Sequence, residues 1–324
     1  MGYAARDARI SVVLMHPLLR DTTRERIWVI LLTGDGANSQ GLQNSRLDDP
    51  ARRFGGPLHR RTLLDLTLSL ELTLSRARSI VPFEQVVVVA NRAHKHYWGD
   101  ILAVLPRENV IVQPSHRGSA IEVLLAVLTI LERDPWARIV TMPSHHHVND
   151  ETALAASLLD ALTPTAQTRN NLAVIGIKPE RPDTDSSYIV PGRWFEDGSR
   201  SVLRIVIPSG EKDARELAAR GALWNSSILA ARAPVLVGTF RRCVPDLVDQ
   251  METAMAQGDR NDVRQRALTQ LHARLPSVDL SHILAQCAKA ECRLITSRSC
   301  GWSNLAPAQH SAALLSSGGV PAAV

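Results

Sequence analysis

Ile111-Val112-Gln113-Pro114-Ser115-His116-Arg117-Gly118-Ser119-Ala120 is the stretch that decides the fold. Val and Ile run into a Pro at a strand exit, an Arg-Gly pair forms the bend, and Ser119 opens the apolar run Ile121 to Leu131. A strand that ends in a Gly-containing turn and then opens a helix aims backbone N–H groups above the sheet. Phosphates or base edges usually occupy that position. The same rhythm repeats on both sides. Strands are expected at Trp28–Thr33, Val86–Ala90, Val110–Val112, Arg138–Met142, Leu172–Ile177 and Trp224–Ala230. Helices are expected at Thr62–Arg78, His94–Leu105, Ser119–Glu132, Asp150–Leu162 and Asp213–Arg220, then at Leu247–Met255 and Asn261–Leu271. This alternation predicts an α/β fold with a doubly wound, mostly parallel sheet, whose ligands bind at the carboxyl ends of the strands.

Three further segments stand at those strand ends. They are Thr141-Met142-Pro143-Ser144-His145-His146-His147-Val148, Gly176-Ile177-Lys178-Pro179-Glu180-Arg181-Pro182-Asp183-Thr184, and Gly221-Ala222-Leu223-Trp224-Asn225-Ser226-Ser227-Ile228. In order and spacing the four segments resemble the sugar nucleotidyltransferases, specifically the mannose-1-phosphate guanylyltransferases. That family carries Gln/Glu-Pro-x-x-Arg-Gly/Asn-Thr-Ala-Pro-Ala, Pro-Ser-Asp-His, Gly-Ile-x-Pro-x-x-Pro-x-Thr-Gly-Tyr-Gly-Tyr-Ile and Leu-Trp-Asn-Ser. The resemblance runs from about Trp28 to about Leu305. It implies a Rossmann-like nucleotidyltransferase (GT-A-like) architecture and the reaction of GTP with mannose 1-phosphate to GDP-mannose and pyrophosphate.

Residue roles follow from the same resemblance. The loop Gly34-Asp35-Gly36, with Arg117, Gly118 and Ser119, would hold the nucleotide. Asp185, Ser187, Trp224 and Asn225 would face the sugar. Asn38 stands where the family has the Arg that neutralises the leaving pyrophosphate, and losing such a contact costs on the order of 10³-fold in rate. Arg52 supplies positive charge in the segment that replaces the family's Pro-Lys-Gln. The family's Mg²⁺ is held by two Asp carboxylates; here His145 and Asn304 occupy those positions. Asp185 and Ser187 replace the glycines that let a hexose lie against the backbone. The expectation is therefore a family fold with slow or absent turnover. The alternative role is a catalytically inactive paralogue that binds a nucleotide sugar or a partner.

Composition narrows the class. The 324 residues are 45% hydrophobic, enough for one large α/β domain. Residues 27–305 are read as that domain, 1–26 as an N-terminal extension, and 306–324, rich in Ala, Ser and Gly, as a disordered tail. No run of about 18 apolar residues is present, and the charged start lacks a signal-peptide core, so a cytoplasmic location is expected. The net charge of +5 is carried almost wholly by scattered arginines without interleaved aromatics, which argues against nucleic acid. The expected partners are a nucleotide or nucleotide sugar, together with a second copy of the chain or an active paralogue. Cys243, Cys287, Cys292 and Cys300 form no Cys-x-x-Cys pair and are expected to be reduced. Adjacent side chains in His145-His146-His147 diverge, so at most two can share one ion, and His146 reads as a structural residue.

Overall fold

The protein is described by a computed structural model over residues 26–33, 57–92, 95–167, 172–184, 186–257, 261–287 and 292–304. Gly34, Asp35, Gly36, Asn38, Arg52 and Asp185, and the expected terminal segments, lie outside the described residues. In chain order the strands begin with β1 (Ile27–Leu32), β2 (Val86–Asn91), β3 (Val110–Gln113), β4 (Arg138–Pro143), β5 (His146–His147) and β6 (Leu172–Ile177). They continue with β7 (Tyr188–Trp194), β8 (Arg200–Val206), β9 (Leu223–Arg232), β10 (Cys292–Thr296) and β11 (Ser303–Asn304). The helices are α1 (Pro57–Arg78), α2 (Lys95–Trp98), α3 (Ser119–Leu131), α4 (Glu151–Gln167), α5 (Glu211–Ala219), α6 (Ala233–Cys243), α7 (Pro245–Ala256), α8 (Asn261–Arg274) and α9 (Leu280–Cys287).

β1 shows why the sheet is covered on both faces. Trp28, Ile30 and Leu32 enter one core, with residues of α3, α6, α7, α8 and α9. Ile27, Val29 and Leu31 enter the other, with α1, α4 and α5. A strand with two buried faces reads as a continuous apolar run, because side chains alternate between the faces. The strand order is β3-β2-β1-β4-β9-β6-β10-β8-β7, and β7 also pairs with β9. Consequently β9, β6, β10, β8 and β7 form a closed circuit of bonded neighbours.

The expected mostly parallel sheet holds for only part of this order. β3, β2, β1 and β4 are mutually parallel, as are β6 and β10. β9 runs antiparallel to β4, β6 and β7, and β8 runs antiparallel to both β7 and β10. The sheet is therefore mixed. The β7–β8 hairpin is the main omission from the sequence reading, because Pro191 and Gly192 interrupt its pattern. The structure accommodates them with register shifts at Val190/Pro191 and Pro191/Trp194. The expected helix His94–Leu105 shrinks to α2 plus a 3-10 turn at Ile101–Val104. Gly99 closes α2, its N–H bonding Lys95 O at 2.9 Å, and Gly is a poor helix interior residue.

The thiols divide. Cys292 and Cys300 are free and buried, and burial pushes the Cys292 thiol up to about 12. Cys243 is disulfide-bonded, against the expectation of reduced thiols, because spacing along a chain does not reveal which sulfurs packing brings together. Among the described residues no helix is long and apolar enough to cross a membrane.

Candidate functional site

The carboxyl ends of β3 and β4 and the amino end of the antiparallel β9 lie on one side of the sheet, and each contributes a turn to the site. At the end of β3, Gln113 Nε2 donates to Glu122 Oε1 at 2.6 Å, and His116 Nδ1 lies 2.9 Å from the same oxygen. Gln113 and Glu122 are each 1% exposed, so one buried carboxylate fastens the turn from beneath. An acid inside an otherwise apolar helix was the visible signal for this cluster, and the sequence reading passed over it.

Gly118 has φ +88°, and a Cβ there would run into the backbone of Val278. The segment containing Val278 straps the start of α3. Val278 N–H donates to Arg117 O at 3.0 Å, Ala120 N–H donates to Val278 O at 3.0 Å, and Leu280 N–H donates to Ser119 Oγ at 2.9 Å. The N–H groups of Ile121 and Glu122 turn back to Gly118 O. Several donors that an opening helix would offer a phosphate are therefore used internally. Arg117 Nε is buried without a partner, and its charge stands near the buried His272 on α8. Desolvation first, and Arg117 second, hold that imidazole below the ordinary histidine range, against a backbone bond to Leu268 O that raises it.

The β9 turn is built around Asn225, which is 8% exposed. Its N–H bonds Ser187 O at 2.8 Å. Its Nδ2 donates to Ser187 Oγ and Ser281 Oγ, both at 3.1 Å, and its Oδ1 accepts Ser227 N–H at 3.1 Å. That last bond supports Ser227, a non-glycine residue with φ +55°. The expected sugar residues Ser187, Trp224 and Asn225 are thus brought together, and the polar atoms of Asn225 are bonded to Ser187, Ser227 and Ser281.

The third turn follows β4. Ser144 N–H bonds Leu32 O at 3.0 Å, and Thr73 Oγ1 donates to Ser144 O at 3.3 Å. His146 is buried and sits edge-on to His145 (ring centres 4.8 Å apart) and to Trp302 (4.9 Å). Trp302 lies 6.0 Å from Trp224, so an aromatic row links the turns of β4 and β9. The indole N–H groups of Trp224 and Trp302 are buried without an acceptor. β11 pairs antiparallel with β5, placing Ser303 opposite His147 and Asn304 opposite His146. His145 immediately precedes β5, so the two positions the resemblance assigns to Mg²⁺, 145 and 304, lie one residue out of register at the start of this ladder. Their donor set does not fit that ion, which requires hard oxygen ligands in octahedral array. Those two positions carry an imidazole and a neutral amide and no carboxylate, and among the described residues no three His, Cys, Asp or Glu side chains converge.

No protein-family model matches the chain. Individual relatives do. The alginate biosynthesis protein AlgA of Pseudomonas syringae pv. tomato is 23% identical over 231 residues, 68% of this chain and 46% of that protein. The mannose-1-phosphate guanylyltransferase of Escherichia coli is 28% identical over 205 residues, 60% of this chain and 42% of that protein. The chain thus spans less than half the length of these relatives. A solved structure described as a mannose-1-phosphate geranyltransferase from Thermus thermophilus superimposes with a TM-score of 0.69 at 20% identity. The match covers 86% of this chain and 76% of the other, and it shows the shared α/β fold. The chain is a distant relative of the mannose-1-phosphate guanylyltransferases.

Proposed function

We propose that this chain binds a guanosine nucleotide or nucleotide sugar at the carboxyl ends of β1, β3 and β4 and the amino end of β9. In the related reaction an oxygen of mannose 1-phosphate attacks the α-phosphorus of GTP in line and pyrophosphate leaves. Turnover by this chain is slow or absent. The observation that carries this reading is that neither residue 145 nor residue 304 bears a carboxylate, while Asn304 stands opposite His146, the chain neighbour of His145, in the β5–β11 ladder. Charge on the triphosphate then has less to oppose it, and Asn38 in place of Arg adds to the deficit. Arg117 is the nucleotide-facing cation this reading retains.

The test combines titration calorimetry and turnover. GTP, GDP-mannose and mannose 1-phosphate are titrated with and without Mg²⁺, and pyrophosphate release is followed in parallel. The expected result is measurable nucleotide or nucleotide-sugar binding with Mg²⁺ making little difference. Turnover stays far below about 1 s⁻¹, the low end of ordinary enzyme rates. Turnover at or above that rate overturns the inactive reading and restores the guanylyltransferase activity. Absence of binding by any of the three overturns the nucleotide site itself.

A further inference from the structure

Glu122 is the only ionisable residue of α3, in a run that is otherwise small or apolar and buried from Ala120 to Leu128. The motif this segment resembles has Ala at that place. Burying a carboxylate is costly unless hydrogen bonds compensate it. Here the compensation comes from the β3–α3 turn alone. Gln113 Nε2 donates at 2.6 Å and His116 Nδ1 lies at 2.9 Å, both on Oε1, while Oε2 has no partner among the described residues. Gln113 ends β3 and His116 precedes Arg117, so one oxygen joins the strand end, the bend and the first turn of the helix.

We infer, resting on the nucleotide site proposed above, that Glu122 is a positioning residue: it sets the direction in which the turn presents Arg117 and does not itself touch the ligand. Two restraints meet at Arg117. Its carbonyl is taken by Val278 N–H from one side, and its neighbour His116 is held by Glu122 from beneath. Glu122 is 1% exposed, out of a ligand's reach. A carboxylate beneath an anion site also has the wrong sign to attract phosphate, so what it supplies is geometry. Because Oε1 already accepts from Gln113, it acts as an acceptor toward His116 as well, which places the imidazole proton on Nδ1.

The test compares the full chain with Glu122→Ala and Glu122→Gln, the second keeping an acceptor oxygen while removing the charge. Hydrogen exchange of the Ala120 and Leu280 amides, both bonded across the turn, is read against that of Val140 in the core of β4. Glu122→Ala is expected to speed exchange at Ala120 and Leu280 by roughly tenfold relative to Val140. It should also strip the Nδ1 proton signature from His116 in nitrogen NMR. GDP-mannose affinity should fall by roughly tenfold or more, because a small displacement of a binding group is costly. Glu122→Gln should stay within about threefold of the parent in exchange and in affinity. If Val140 speeds up as much as the turn, the loss is one of general stability and the positioning role is overturned. Parent-like exchange or undiminished GDP-mannose affinity in Glu122→Ala overturns it too, as do equal losses in the two variants. If the parent binds no nucleotide or nucleotide sugar, the proposed site fails, and the exchange data still decide whether Glu122 orders the turn. Should Glu122→Ala not fold, Gln113→Leu, which removes one donor and leaves the carboxylate, must show the same local rise in exchange or the assignment falls.

Discussion

On the Arg117–Ala120 flank of the site, backbone polar atoms are matched by the protein itself, although Arg117 Nε is left without a partner: the 278–280 strap takes an amide, a carbonyl and a hydroxyl in succession. On the His145–Trp302 flank the contacts are ring against ring, and two buried indole N–H groups have no acceptor. One flank is governed by backbone geometry and the other by side-chain chemistry. The difference bears on how a family fold changes its activity. Backbone geometry tolerates few substitutions, because a wrong residue clashes. A ligand position tolerates many, because losing a carboxylate there leaves the fold intact.

The largest expected effect is on the first flank. Gly118→Ala combines a positive φ with a Cβ driven into the Val278 backbone, and should destabilise by on the order of 3 kcal/mol. Urea unfolding measures it; a loss below about 1 kcal/mol would show that the strap moves freely and would remove the contrast. Next is Asn225→Ala, which strips partners from Ser187, Ser281 and Ser227 and should cost about 1–3 kcal/mol. If this variant keeps its stability but loses GDP-mannose affinity, Asn225 is a ligand contact and not an architectural one.

The smallest effect concerns His272. Its folded pKa is depressed, so below the ordinary histidine range the unfolded chain takes up a proton that the folded chain refuses. Stability is therefore complete above that range and declines as pH falls through it, with a slope of at most about 1.4 kcal/mol per pH unit. Subtracting the profile of His272→Gln isolates this contribution. A difference that stays flat from neutral to mildly acidic pH would mean that the imidazole charges without cost beside Arg117.

The parallel part of the sheet was legible in the sequence because each of its strands is apolar on both faces and is followed by an amphipathic or apolar helix. β1, β2 and β4 fall close to where the Val and Ile runs placed them. The antiparallel part was less legible. The β7–β8 hairpin hides behind Pro191 and two register shifts, and the direction of β9 depends on pairings with strands distant in sequence. Within the site, the positions of Arg117, His145 and Asn225 at strand ends could be read, and residues 145 and 304 plainly carry no carboxylate. The strap at Val278 and the packing of Trp302 on His146 could not, since nothing local in either segment names its distant partner.

The place of β10 in the sheet has a consequence for synthesis. This strand, Cys292–Thr296, lies between β6 and β8, both of which leave the ribosome far earlier. β1 to β4 can assemble as they emerge, but the circuit through β9, β6, β10, β8 and β7 stays open until nearly the last described residues are made. Until then β6 and β8 each present an unpaired edge, the kind of surface that recruits foreign strands. A nascent chain stalled or cleaved before β10 is for that reason expected to aggregate, whereas one interrupted beyond Asn304 has every strand described here available to pair.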